Sequence, residues 1–234
     1  VIVVYDVFSV ADTVSKTAGG TFDGNITATG TLAVTGAITS SSNMTITGNV
    51  ISNDGSNNAR FQFDNNNQIL IENDTAMNFY VNGSNSLKGD SIGAVTKPLQ
   101  PAFAVSPAST QSDLAINTVV DIVFGTEYID RNADFASNTF TAPVTGLYQL
   151  SVHIYTTNLD VTANYVQFNL STSNRGYTHV IGPNFNSDLE YYPVAITALA
   201  DMDAGDTAKV QFYQSGGAAQ QDIITANFTG FLAC

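Results

Sequence analysis

The stretch Phe140-Thr-Ala-Pro-Val-Thr-Gly-Leu-Tyr148, running on through Gln149-Leu-Ser-Val-His-Ile-Tyr155, decides the fold class. Pro143 and Gly146 punctuate a turn, and Gly146–Tyr155 then alternates apolar with polar residues. Side chains two apart share one face of a strand, so this period predicts a half-buried strand. Outward from it lie further short strand patterns at Val119–Phe124, Tyr165–Leu170, Val194–Leu199, Ala208–Gln214 and Ala226–Leu232, with turns at Asp201–Asp206 and Gln214–Ala218. Many short strands with regular turn signals indicate a sandwich or jelly roll over residues 98–234.

Composition supports an all-β chain. Of 234 residues, 44% are hydrophobic, enough for a real core, but only 12% are charged, about half the usual share. Asn, Ser, Thr and Gly cover the surface instead, and they favour turns and strands over exposed helix. Glutamate occurs only at Glu72, Glu127 and Glu190. The net charge of −13, with 7 Lys and Arg in all, leaves no basic cluster for phosphates, so nucleic acid and anionic membrane are poor partners. No run approaches the roughly 20 apolar residues that span a bilayer. Val1–Val10 is apolar but short, contains Asp6 and makes a poor signal peptide. The chain does not begin with Met, which fits a processed product or a fragment.

The N-terminal half is built differently. Residues 1–20 read as an anchoring segment. Val3, Val7, Val10 and Val14 have the 4-3-4 spacing of a short coiled-coil seam, although an extended strand docked on a partner fits equally. Residues 24–53 repeat every six residues as GNITAT, GTLAVT, GAITSS, SNMTIT and GNVISN. The third position is always apolar: Ile26, Leu32, Ile38, Met44 and Val50. Two small apolar side chains per unit cannot make a core within one chain, so the pattern predicts a slender shaft wound from several chains, with these five residues as its inner stripe. A single-chain hexapeptide solenoid is the rival reading. Ala59–Asp64, Gln68–Asn73 and Met77–Val81 read as a three-stranded meander, and residues 82–100, rich in Gly, Ser and Asn, as a neck or linker. Residues 21–97 are thus expected to form a repetitive β shaft and neck.

The C-terminal unit resembles the complement 1q and tumour necrosis factor superfamily. Phe124, Asp130, Phe135, Phe140, Gly146 and Tyr148 follow that family's signature in order. So do Gly205-Asp206, Tyr213-Gln-Ser-Gly-Gly217 and Phe228-Thr-Gly-Phe-Leu232. Two departures stand out: the Phe135-to-Phe140 gap is two residues short, and Leu150 and Val152 replace aromatics. The resemblance implies a ten-stranded jelly roll that trimerises, with Phe140, Tyr148, Phe228 and Phe231 as core or interface residues and ligands taken by apical or side loops. The hexads and Val14-Ser-Lys-Thr-Ala-Gly-Gly-Thr-Phe22 resemble bacteriophage tail-fibre shafts. A trimeric shaft under a trimeric head lets one symmetry serve the whole chain.

The residues suggest no enzyme. Glycosidase chemistry needs two facing carboxylates, and no such pair is identifiable; nucleophile-elbow, P-loop and dinucleotide motifs are absent. His153 occupies an ordinary strand position, and His179 lies in Asn174-Arg-Gly-Tyr-Thr-His179, a polar stretch suited to a loop. No zinc spacing exists, and Asp201, Asp203 and Asp206, like Asp130 and Asp134, read as solvated turns rather than calcium ligands. No metal and no cofactor is expected. The single cysteine, Cys234, cannot form an internal disulfide. Tyr177, His179, Asn184, Phe185, Asp188, Tyr191 and Tyr192 mix aromatic rings with amide and carboxylate groups, which suits contact with a sugar or a protein.

The expectation is a homotrimeric structural fibre on a virion surface, held to other virion proteins by the N-terminal segment and attaching to a host glycan or protein through its head. A non-binding spacer or capsid decoration, and a bound depolymerase, are the alternatives.

Overall fold

The computed structural model describes residues 38–39, 59–62, 67–72 and 75–234. The chain divides into two compact units, Val1–Val50 and Ile51–Cys234. The anchoring segment and most of the hexad repeat, including Ile26, Leu32, Met44 and Val50, lie outside the described residues. Of the expected shaft stripe only Ile38 is described, and it is exposed.

A small antiparallel sheet opens the second unit: β1 (Ala59–Gln62), β2 (Gln68–Glu72), β3 (Ala76–Val81), β4 (Ser84–Asp90) and β5 (Val95–Thr96), paired in sequence order. The expected three-stranded meander therefore has five strands, and the stretch read as a neck carries two of them. The cause is Asn82-Gly83. Both residues take positive φ, 49° and 74°, which closes a two-residue hairpin turn between Val81 and Ser84. Leu70 and Ala76 are the buried apolar residues here, and Asn78 is buried beside them. Its amide donates to Glu72 Oε2 (2.9 Å) and accepts from Asn85 Nδ2 (2.6 Å). Ile71, Met77 and Val81 stay exposed.

The rest is a two-sheet jelly roll. Its strands are β6 (Ala102–Ser106), β7 (Val120–Asp121), β8 (Thr126–Asp130), β9 (Phe135–Ala136), β10 (Thr139–Thr141), β11 (Gly146–Thr157), β12 (Ala163–Thr172), β13 (Gly176–Ile181), β14 (Tyr192–Met202), β15 (Thr207–Gly216) and β16 (Asp222–Leu232). One sheet runs β14-β11-β16-β6-β8; the other runs β13-β12-β15-β10-β9, with β7 added to β15. From β11 onward the chain crosses between sheets, β12 and β13 on one side and β14 back on the other. The head has eleven strands where the resemblance implied ten, because β7 and β9 are two-residue pieces of the same sheet. The short Phe135-to-Phe140 gap is a tight hairpin: Ser137 and Asn138, at φ 50° and 64°, bring Phe140 opposite Phe135.

The alternation read from Gly146–Tyr155 holds. Tyr148, Leu150, Val152 and Ile154 point into the core and are essentially fully buried. They meet Val166, Phe168 and Leu170 of β12 and Val210 and Phe212 of β15 in one apolar cluster. An aromatic knot closes one end. Phe103 stacks on Phe140 (4.6 Å, 22°) and meets Phe228 edge-on (4.8 Å, 78°), with Phe124 and Phe135 around them. Such pairs add about 0.5–1.5 kcal/mol each beyond area burial. Phe140, Tyr148 and Phe228 are thus core residues. Phe231 is not: the strand period turns Phe228 and Gly230 inward and Phe231 outward, where it is half exposed.

Candidate functional site

Three surfaces of the head could carry function. The first is the outward face of the five-stranded sheet. The register aligns Leu199, Gln149, Phe231 and Ala102 in one row and Thr197, Ser151, Thr229 and Ala104 in the next. His153 lies between Ala195 and Asn227 in a third. The face has no Lys, Arg, Asp or Glu in these rows, its side chains are small, and Phe231 and Leu199 stand half exposed on it. A flat, uncharged face with a few apolar knobs suits packing against protein. His153 is an exposed strand residue on this face, in the ordinary position expected of it.

The second is the Tyr177–Tyr192 stretch, which the structure splits. Tyr177 and His179 are in strand β13, not in a loop, because Tyr177, His179 and Ile181 keep the period of two and pair with Leu170, Phe168 and Val166. They face the core side at the sheet's edge and are half buried; the Tyr177 hydroxyl donates across to the Leu199 carbonyl (3.5 Å). Asp188 is spent on the backbone, accepting from Val161 N (2.9 Å). Phe185 and Tyr192 form a ring pair at 6.2 Å, and Tyr192 packs on the core. Asn184 and Tyr191 are exposed. None of these residues lines any of the three cavities described below.

The third surface is the outward face of the other sheet, which the sequence reading passed over. Tyr165, Gln167 and Asn169 of β12 and Gln211 and Tyr213 of β15 lie there side by side, Gln167 opposite Tyr213 and Asn169 opposite Gln211. The signal was present, because they are the alternate residues of strands recognised by their buried ones. A shallow cavity of about 90 Å³ sits among Val119, Gln167, Asn169, Gln211 and Tyr213. A larger one of about 580 Å³ opens where the chain enters the head, between Leu99, Gln100, Pro101, Val144, Leu232 and the exposed, unpaired Cys234. A third, of about 280 Å³, lies between Thr145, Asn174, Asp201 and Asp203.

The carboxylates are structural. Asp201 pairs with Arg175 (2.8 Å). Asp206 Oδ2 accepts from Asp203 N and Asn174 Nδ2, and Asp130 Oδ1 accepts from Asp134 N and Phe135 N. Among the described residues no three His, Cys, Asp or Glu side chains are grouped to hold a metal ion. Burial, with Asp130 nearby, raises the Asp134 carboxyl above the ordinary range. Asp160, buried between β11 and β12, behaves oppositely. Burial works to raise its pKa, but Thr162 Oγ1, the amides of Ala219 and Thr162, and that of Ala218 donate to it and hold it down to about 2. A buried hydrogen-bond chain runs from the Thr156 hydroxyl to Gln221 (3.1 Å) and from the Gln221 amide to Gln214 (3.0 Å). Among the described residues no helix is long and apolar enough to cross a membrane.

Two solved structures and one family model are similar to this chain. The globular domain of zebrafish complement 1qA is 22% identical, covering 58% of this chain and 98% of its own, with a TM-score of 0.46. Murine APRIL is 15% identical over 56% of this chain and 98% of its own, with a TM-score of 0.39. Among curated proteins no sequence matches significantly. The model of the C1q domain, a non-catalytic family, matches residues 102–233, more than half of the chain. The chain belongs to the C1q domain family.

Proposed function

We propose that the chain is the subunit of a homotrimeric fibre on a virion surface, and that its C1q head attaches the particle to a glycan or protein of the host. The observation that carries the trimer is the outward face of the five-stranded sheet. C1q domains typically trimerise, and this face offers uncharged rows on which Phe231 and Leu199 stand half exposed. The fibre rests on the six-residue repeat, whose single apolar stripe needs neighbouring chains to bury it. Three heads on one axis would turn weak contacts into useful avidity.

Light scattering tests the assembly. Three chains of 24.7 kDa should give about 74 kDa, and Phe231→Asp should shift the mass toward a single chain, since a buried charge opposes the interface. A monomeric wild type would remove the reading. Pre-incubating cells with the purified trimer should block particle adsorption. Unchanged adsorption at saturation, with label confined to capsids, would instead favour a non-binding decoration.

A further inference from the structure

We infer that the outward face of the sheet containing β12 and β15 is a binding platform for an uncharged saccharide chain, centred on Tyr165 and Tyr213. It gives the attachment reading above a ligand class and a place, and depends on that reading only for its biological use. The two tyrosine rings lie 5.8 Å apart at 37°, half buried on the outward side of strands whose other side is core. Tyr213 lines the 90 Å³ cavity, and Tyr165 extends the aromatic surface beyond it. Ring faces stack against the C–H faces of pyranose rings, while nearby polar groups orient the hydroxyls.

The polar groups are present and have bonding capacity left. Asn169 accepts one hydrogen bond through Oδ1, from Thr178 (3.1 Å), which leaves its NH₂ to donate. Gln211 donates one, to Asp121 (2.8 Å), which leaves its carbonyl oxygen to accept. The side-chain amide of Gln167, opposite Tyr213 in the ladder, makes no hydrogen bond among the described residues and offers both. An amide can donate and accept at once, as a sugar hydroxyl does, so three amides around one cavity match a hydroxyl-rich ligand.

Charge narrows the class. The cation at this face, Lys209, is paired with Asp121 at 2.9 Å, and the chain carries −13 overall. An anionic glycan would meet no free cation here. The cavity is far smaller than the roughly 300 Å³ at which enclosing pockets begin. It takes a hydroxymethyl or acetamido substituent while the sugar chain runs across the tyrosines. The face lies on the opposite side of the sandwich from the proposed trimer interface, so trimer formation leaves three copies open.

Saturation-transfer NMR and calorimetry on the full chain, with neutral hexasaccharides of glucose, galactose and N-acetylglucosamine and with heparin as the anionic control, test the platform. At least one neutral probe should bind below about 10 mM while heparin does not. Tyr213→Ala should weaken that probe by about tenfold, and the near-isosteric Gln167→Glu by several-fold, both with unchanged solution mass. Lys209→Ala should leave it unchanged. The inference is overturned if no neutral probe binds, or if both variants bind as wild type does. If wild type and Tyr213→Ala block adsorption equally, attachment stands, the platform falls, and a protein-contacting surface elsewhere on the head is indicated.

Discussion

Replacing Asp160 with Asn isolates the most concentrated polar interaction in the head. Asp160 is 2% exposed and accepts from Thr162 N (2.7 Å), Thr162 Oγ1 (2.7 Å), Ala218 N (2.5 Å) and Ala219 N (2.8 Å). These bonds tie the β11–β12 connection to the β15–β16 turn, where Gly217 takes φ 93° and a Cβ would collide with the Asp160 carboxylate. Lowering the pKa from 3.8 to about 2 corresponds to about 2.5 kcal/mol in favour of the folded, ionised state. Because the folded pKa is depressed, this stabilisation is complete above pH ~4, about half gone by pH 3, and lost as pH falls through about 2. The Asn amide must turn an NH₂ toward at least one donor, which leaves a backbone N–H unpaired, so the full cost at pH 7 is about 3 kcal/mol. The assay is urea unfolding of wild type and Asp160→Asn at one fixed protein concentration, from pH 7 to pH 2. The gap should be near 3 kcal/mol at neutral pH and narrow steadily below pH 4. A gap under 1 kcal/mol at pH 7, or one that does not change with pH, refutes the reasoning.

Two core substitutions extend the test. Phe228→Ala removes the ring at the centre of the knot of Phe103, Phe124 and Phe135, and thermal or urea unfolding should show a loss of about 3–5 kcal/mol. Gly230→Ala places a Cβ 2.5 Å from Phe103 Cε1 and 2.6 Å from Leu150 Cδ2. Because Phe103 is itself clamped between rings, unfolding should show a loss of about 1–3 kcal/mol, whereas a neutral result would mean that the knot repacks freely.

Periodicity made the long central strands legible. Tyr165–Leu170, Val194–Leu199, Ala208–Gln214 and Ala226–Leu232 all fall inside observed strands, because each carries strongly apolar alternate residues that one sheet face must bury. Reading failed where that signal weakens. Strand β13 is an edge strand with Tyr177, His179 and Ile181 as its inner residues, so its polar composition looked like loop. Strand β4 reads Ser-Asn-Ser-Leu-Lys-Gly-Asp and has almost no apolar face; the Asn82-Gly83 turn before it was the usable signal. Val119–Phe124 was read as one strand but contributes only Val120–Asp121 to a ladder, with Phe124 anchored instead through its N–H to the Asn138 side chain (2.7 Å). The Tyr177–Tyr192 stretch mixes aromatic and polar residues within one segment. Such a mixture is the same for a ring that braces two sheets, as Tyr177 does, and for one left at a surface.

The two outward faces of the jelly roll separate by chemistry although both are products of the same alternation. Along β11 and β16 the central outward positions are Gln149, Ser151, His153, Thr225, Asn227 and Thr229, short or medium side chains that let another β face approach closely, with the larger Leu147, Tyr155 and Phe231 beside them. Along β12 and β15 the central ones are Tyr165, Gln167, Asn169, Lys209, Gln211 and Tyr213, longer side chains that stand off the backbone and would hold a second sheet away, with the short Ser171, Thr207 and Ser215 toward the strand ends. A face that must pack against copies of itself gains from small, flat rows; a face that meets a hydrated, extended ligand gains from rings and amides with unused hydrogen-bonding capacity. The inward residues of all four strands are mostly Val, Leu, Ile, Phe and Ala, with Tyr148 and the buried Thr156, Thr172 and Gln214 among them, and the apolar ones make one core. The residues that distinguish this head from any other sandwich are therefore the alternate ones that the core does not need.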